Sequence, residues 1–153
     1  MKPTEIMIGD WVKHTNPKTN ESYYAKVSGI CPVIGSDHKQ TGWVIRFHKD
    51  DEPLDNPCPI SCEPVPVTPE ILKANGFVQK YEDSDLDFFW EEHEKRIEIW
   101  KRSTLWYIQV WVNHDTSDLF LSIKYVHEFQ HAMRLIGLHD MGNDFKIQKG
   151  NDQ

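Results

Sequence analysis

The stretch from Thr68 to Gly76, TPEILKANG, separates two parts of the sequence that have different patterns. Thr is a favoured N-cap residue, and proline is well tolerated next to it because the first N–H groups of a helix have no intrahelical partner. The acid at position 70 suits the first turn, and Gly76 suits the end of a helix. We therefore predict a short linking helix with one lobe on either side of it.

Residues 1–67 are predicted to form a small, barrel-like β lobe. Four strands are expected, at Ile8–Val12, Tyr23–Ile30, Gly42–Phe47 and Pro59–Val67. The first three carry the β-branched and aromatic residues typical of half-buried strands. The fourth contains Pro64 and Pro66, which cannot donate to a ladder, so we place it at a sheet edge. Polar, turn-rich segments separate the strands, among them Gly35–Thr41 and His48–Pro57.

Residues 68–138 are predicted to form the linking helix, an antiparallel sheet and a closing helix. Apolar and polar residues alternate from Phe77 to Ile123, as in a meander with one buried face. The segment Ile123–Leu138 has the apolar stripe of an amphipathic helix. Residues 139–153 form a polar tail that we expect to be loose. The predicted fold class is therefore α+β, with a β-meander closed by a C-terminal helix.

Composition limits the classes of function. The chain has 153 residues and a net charge of −7. An acidic chain without a cluster of Lys and Arg is poorly suited to a phosphate backbone, so nucleic-acid binding by the β lobe is a disfavoured alternative. No segment reaches the ~18 apolar residues of a membrane span. An odd number of cysteines, three, suits a reducing compartment, and we predict a cytoplasmic location.

The sequence HEFQH at positions 127–131 fits H-E-x-x-H, the signature of zinc metalloproteases. Residues i and i+4 lie on one face of a helix, so His127 and His131 could bind one zinc ion while Glu128 acts as the general base. The predicted helix directs both histidines away from its apolar stripe. A zinc-dependent hydrolase is therefore the alternative function, with Glu128 as its catalytic residue.

A catalytic zinc site needs a third protein ligand, and no recognised spacing supplies one here. The candidates for a third ligand are His93, His114, His139, Asp140 and Asp144. Because two histidines alone would hold zinc weakly, no cofactor is predicted, and zinc enters only with the hydrolase alternative.

Two other metal patterns have simpler explanations. One is an EF-hand-like spacing of acids at Asp83, Asp85, Asp87 and Glu94. It has Phe88 where the calcium loop requires glycine, and the solvent face of a strand explains the spacing. The other is a set of thiols and imidazoles at Cys31, His38, His48, Cys58 and Cys62. It lacks the regular ligand pairs of zinc sites, and buried thiols are common.

Tryptophans in the predicted meander suggest a binding surface. Trp90 and Trp106 fall on strand faces that read as buried, whereas Trp100 and Trp111 fall on mixed faces. Exposed aromatic side chains are typical of binding surfaces. Trp100 and Trp111 are therefore the candidate binding residues.

Three stretches together resemble a known family: IGDWV at 8–12, EPVPVTPEILKANGF at 63–77 and IKYVHEFQHAMRLIGL at 123–138. The family consists of small uncharacterised proteins from gut anaerobic bacteria and their phages or mobile elements. The resemblance implies an accessory protein without an assigned activity. It also implies relatives with Gln at the position of Glu128 and Asn at that of His131, which would remove the zinc chemistry. The leading prediction is therefore a non-enzymatic interaction module that binds another protein.

Overall fold

A computed structural model describes residues 5–16, 19–49, 52–53, 58–59, 62–81, 87–92, 94–112 and 116–147. The chain divides into two compact units, Met1–Val65 and Pro66–Gln153. Each unit has its own antiparallel sheet, and the helices belong to the second unit. The predicted α+β fold class is thus confirmed.

The first unit is a curled antiparallel sheet that forms a half-barrel. Its strands are β1 (Trp11–Thr15), β2 (Ser22–Ile34), β3 (Gln40–Lys49), β4 (Glu52–Pro53), β5 (Cys58–Pro59) and β6 (Cys62–Pro64). They are ordered β4-β3-β2-β1-β6, with β5 also pairing with β3. The proline-containing β6 ends this order, as the missing donor of Pro64 requires. The core consists of Ile6, Val12, Ala25, Val27, Ile45, Phe47 and Cys62.

The first strand begins after a tight turn built by Gly9 and Asp10. Gly9 has a φ of 91°, a conformation that favours glycine, and its N–H donates to the carbonyl of Val27 at 2.7 Å. The buried carboxylate of Asp10 accepts from the N–H of Met7 at 2.7 Å. The loop predicted at His48–Pro57 begins too early, because His48 and Lys49 belong to β3 and His48 still pairs with Lys26 of β2.

The second unit begins with the predicted linking helix, α1 (Pro69–Ala74). The Thr68 hydroxyl accepts from the N–H of Ile71 at 3.3 Å, and Gly76 has a φ of 82° just past the helix end. Hydrogen bonds from its own N–H and from the Thr68 hydroxyl hold the pKa of Glu70 below its ordinary value. An ionised Glu70 in turn suits the positive end of the helix dipole.

The second sheet is the predicted meander. Its strands are β7 (Val78–Gln79), β8 (Asp87–Glu92), β9 (Lys95–Arg102), β10 (Leu105–Val112) and β11 (Thr116–Ile123), in the order β11-β10-β9-β8-β7. The register aligns Phe88, Ile99 and Ile108 across three strands, and all three are buried. The alternate residues lie on the other side of the sheet, which we call the open face.

Two helices complete the second unit: α2 (Val126–Leu135) and α3 (His139–Asn143). Phe129 of α2 is fully buried, with ring centroids 5.7 Å from Phe77 and 5.0 Å from Phe145. The backbone of Lys146 exchanges hydrogen bonds with the side chain of Asn75, at 2.7 and 2.8 Å. The expectation of loose structure after Leu138 is therefore wrong for residues 139–147, which are helical at first and then anchored by Phe145.

Candidate functional site

Three aromatic rings lie in mutual contact on the open face of the second sheet. The rings of Trp100 and Tyr107 are stacked at 6.1 Å between centroids and 17° between planes. Phe120 lies 5.7 Å from Trp100 and 5.8 Å from Tyr107. We call these three residues the aromatic cluster. They come from β9, β10 and β11, and Phe120 is 60% exposed.

Charged side chains form a chain of ion pairs beside the aromatic cluster. Glu98 binds Lys80 with one carboxylate oxygen at 3.1 Å and Arg96 with the other at 2.8 Å. Arg96 also approaches Glu91 at 3.9 Å, and its guanidinium lies 5.5 Å from the ring centroid of Phe89. Because Glu98 holds two cations, the positions of both are fixed relative to the sheet.

A groove of about 270 Å³ adjoins the cluster. It is lined by Trp100 together with charged and amide side chains, among them Lys80, Asp87, Glu98, Arg102 and Gln109. The open face therefore combines a flat aromatic surface with hydrogen-bonding groups at its border. This is the composition expected of a recognition surface.

The two predicted binding residues have different environments. Trp100 is half-buried and belongs to the aromatic cluster. Trp111 pairs in register with Arg96, and its indole N–H is buried with no hydrogen-bond partner in the described part of the chain. Tyr107 and Phe120 were not predicted from the sequence as binding residues. Tyr107 shares the period-two pattern of the open face, but the register that brings Phe120 to Trp100 depends on strand pairing.

The HEFQH segment lies in the first part of α2, but one of its histidines is not on the side of the helix that the sequence predicted. His127 was expected on the side away from the apolar stripe and is instead 95% buried, its relative exposure being 5%. Its ring stacks on Tyr125 at 5.8 Å and 12°. His131 is half-buried, and its ring lies 5.8 Å from that of His127 in an edge-on arrangement.

Glu128 has a structural partner at the start of α2. One oxygen of its carboxylate accepts from the backbone N–H of Lys124 at 2.7 Å and of Tyr125 at 3.0 Å. A glutamate at the third helical position that bonds back to the N-cap N–H is half of a capping box. In this geometry Glu128 satisfies donors at the helix start, whereas a general base in a zinc hydrolase must reach the metal-bound water.

The remaining metal candidates are dispersed. His139 and Asp140 lie in α3 and Asp144 directly follows it, and the described residues contain no group of three or more His, Cys, Asp or Glu placed to hold a metal ion. His93 and His114, like Asp83 and Asp85, lie outside the described residues. Cys62 is buried in the core of the first unit, and Phe88 of the calcium-like pattern is buried in β8.

Comparison with known proteins gives no relatives for this chain: no family model, curated protein or solved structure matches it. No helix in the described ranges is long and apolar enough to cross a membrane.

Proposed function

We propose that this protein is a non-enzymatic interaction module that binds another protein through the open face of its second sheet. The observation that carries the proposal is the aromatic cluster, in which three rings contact one another on the side of the sheet opposite the core. Phe120 is 60% exposed and contacts the two other rings, and a contiguous exposed apolar patch is typical of an interaction site.

The chemistry of the open face matches the residues that dominate protein interfaces. Trp, Tyr and Arg are enriched among residues whose truncation costs most binding energy. Trp100, Tyr107 and Arg96 are of these types. The ion pairs of Glu98 hold Arg96 and Lys80 in place before binding, which lowers the entropy cost of association.

Charge favours a basic partner. From residue 66 onwards the sequence has 15 acidic residues against 10 Lys and Arg, so the second unit carries most of the net negative charge. Complementary charge speeds association and discriminates between partners. We place the encounter in the cytoplasm, and the resemblance to phage and mobile-element proteins supports an accessory role there.

Zinc hydrolysis is the second candidate function, and the hydrogen bonds of Glu128 count against it. Its carboxylate is engaged by two backbone donors at 2.7 and 3.0 Å, so general-base catalysis would require the start of α2 to give up its cap. Elemental analysis of the protein purified without chelators tests this alternative directly. About one zinc ion per chain, lost on His127→Ala or His131→Ala, would place the hydrolase first.

A random-peptide display library panned on the immobilised full-length chain tests the proposed interaction. Enriched peptides should be rich in basic and apolar residues and should bind in solution, as measured by fluorescence polarisation. Trp100→Ala and Phe120→Ser should each weaken binding by about tenfold or more, since truncation of a hot-spot residue costs about 2 kcal/mol or more and about 1.4 kcal/mol corresponds to tenfold.

Trp43 provides the matched control, because it is a tryptophan of the first unit with 37% exposure. Trp43→Ala should leave peptide binding unchanged. Peptides whose affinity falls with Trp43→Ala and not with Phe120→Ser would move the binding surface to the first unit. A library that yields no binder would remove the support for a protein partner.

A further inference from the structure

Asn75 joins the end of α1 to the C-terminal part of the second unit. Its carboxamide oxygen accepts from the backbone N–H of Lys146 at 2.7 Å. Its carboxamide nitrogen donates to the carbonyls of Lys146 and Ile71, both at 2.8 Å. Phe145, the neighbour of Lys146, is buried and packs on Phe129 with 5.0 Å between ring centroids. We call Phe145 and Lys146 the clasp, because burial and hydrogen bonds fix them to the rest of the unit.

The residue after Asn75 makes this asparagine chemically different from the others. The sequence contains seven asparagines, and only Asn75 is followed by glycine. The backbone nitrogen of the following residue can attack the side-chain carbonyl carbon of an asparagine, and glycine hinders this attack least because it has no Cβ atom. The attack closes a succinimide ring and expels ammonia, and water then opens the ring to aspartate or isoaspartate. In an unfolded chain, spontaneous deamidation should therefore be fastest at Asn75.

The folded structure opposes this reaction at both reacting groups. The carboxamide of Asn75 must turn away from Ile71 and Lys146 before the ring can close, which breaks three hydrogen bonds. The attacking N–H of Gly76 donates to the carbonyl of Lys73 at 3.1 Å. Because two of the three carboxamide hydrogen bonds go to Lys146, opening of the clasp removes most of the restraint on the side chain.

We propose that Asn75 is a deamidation site that becomes reactive when the clasp opens, and that deamidation then weakens the clasp irreversibly. Aspartate has a second acceptor oxygen in place of the donor NH2 group. That oxygen would face the carbonyls of Ile71 and Lys146, which both receive a hydrogen bond from Asn75. The new negative charge would also lie at the carbonyl end of α1, where it is unfavourable. A reversible opening of the clasp is thereby converted into a lasting one.

Peptide mapping of the full-length chain, incubated in mildly alkaline buffer, tests the reactivity of Asn75. Trypsin releases residues 74–80, and deamidation is measured as the mass shift of that peptide. Phe145→Ala should raise the rate by about tenfold or more, because loss of a buried ring favours the open clasp. The milder Phe145→Leu should give a smaller increase. Ile108→Ala is the matched control: it removes buried apolar atoms from β10 rather than from the clasp, and the rate should stay near that of the wild type.

Two outcomes of this mapping would overturn the proposal. Equal acceleration by Phe145→Ala and Ile108→Ala would mean that general unfolding, and not the clasp, exposes Asn75. A Phe145→Ala chain that deamidates no faster than the wild type would show that the clasp does not protect it. Circular dichroism verifies that each variant is folded, and Phe145→Leu takes the place of Phe145→Ala in both comparisons if the alanine variant is unfolded.

Asn75→Asp, which is one product of the reaction, tests the effect on the clasp. The amide of Lys146 donates to Asn75, so hydrogen exchange at this amide reports the opening of the clasp. Exchange should be about tenfold faster in Asn75→Asp, because two carbonyls lose their donor. Asn143→Asp is the charge-matched control: Asn143 is exposed, and its oxygen, which accepts from Arg134 at 3.1 Å, remains an acceptor. Unchanged exchange in Asn75→Asp, or an equal increase in Asn143→Asp, would contradict the proposed weakening.

Discussion

The two faces of the second sheet are built from the same strands, but different physical requirements explain the residues on each face. On the core face, Phe88, Ile99 and Trp106 are buried, and burial alone explains why they are apolar. On the open face, Trp100, Tyr107 and Phe120 remain partly or largely exposed. Trp106 and Tyr107 are neighbours in β10, so one strand carries both kinds of aromatic residue.

This difference separates residues kept for folding from residues kept for another reason. The indole N–H of Trp106 donates to the carbonyl of Val67 at 3.0 Å, so the polar atom of this buried ring is satisfied inside the unit. The Trp100 ring, by contrast, contacts the rings of Tyr107 and Phe120 on the open face. If the open face exists for binding, its aromatic residues should contribute far less to stability than those of the core face.

The largest effect is expected from Trp106→Ala. The substitution removes a fully buried indole and its hydrogen bond and leaves a cavity, so the free energy of unfolding should fall by about 3–5 kcal/mol. Urea denaturation monitored by circular dichroism measures this loss. Tyr107→Ala, one residue further along the strand, should cost clearly less. Equal losses at the two positions would mean that the open face is covered and that the comparison fails.

Glu128 extends the comparison to the zinc-like motif. If its carboxylate serves folding, Glu128→Ala should lower the free energy of unfolding by about 1 kcal/mol, because two backbone donors lose their acceptor. Glu128→Gln, which keeps an acceptor oxygen, should recover part of that loss in the same urea titration. A Glu128→Ala chain as stable as the wild type would leave the glutamate without a structural role and reopen catalysis.

Much of the fold was predictable because its signals are local. Thr68, Pro69 and Gly76 define α1 within nine residues, and the alternation in β10 identifies a half-buried strand. Each of these signals reflects a backbone or burial requirement that operates within a few residues. The α+β class and the meander follow from them without knowledge of tertiary contacts.

The burial of His127 was not predictable, because α2 is covered on more than one side. Gln130 is fully buried and donates to the carbonyl of Gly142 in α3 at 2.9 Å. At Gly142 a Cβ atom would lie 2.8 Å from the Arg134 side chain and 2.9 Å from the Gln130 carbonyl. Since α3 approaches α2 closely at a glycine, hydrophobic periodicity does not reveal this contact.

The aromatic cluster was predictable only in part, for a similar reason. Trp100 could be recognised from alternation along β9, but its contact with Phe120 crosses β10 and depends on pairing between β10 and β11. The bulge at Asp118 shifts that register by one residue. If the pairing with β10 were extended along β11 without this bulge, Phe120 would be assigned to the core face.

The smallest effect on stability is expected from Phe120→Ser. The ring is 60% exposed, and among the described aromatic residues it contacts only the other members of the aromatic cluster. Its loss should therefore change the free energy of unfolding by less than about 0.5–1 kcal/mol. The same urea titration used for Trp106→Ala measures it, so the two faces are compared under one condition. The substitution also removes an apolar group from an edge strand, so the variant should be at least as soluble as the wild type.

Strong destabilisation by Phe120→Ser would show that the ring contributes to folding. The exposure of the open face would then no longer support a binding surface. A stable Phe120→Ser chain that no longer binds peptides would separate function from folding at a single side chain.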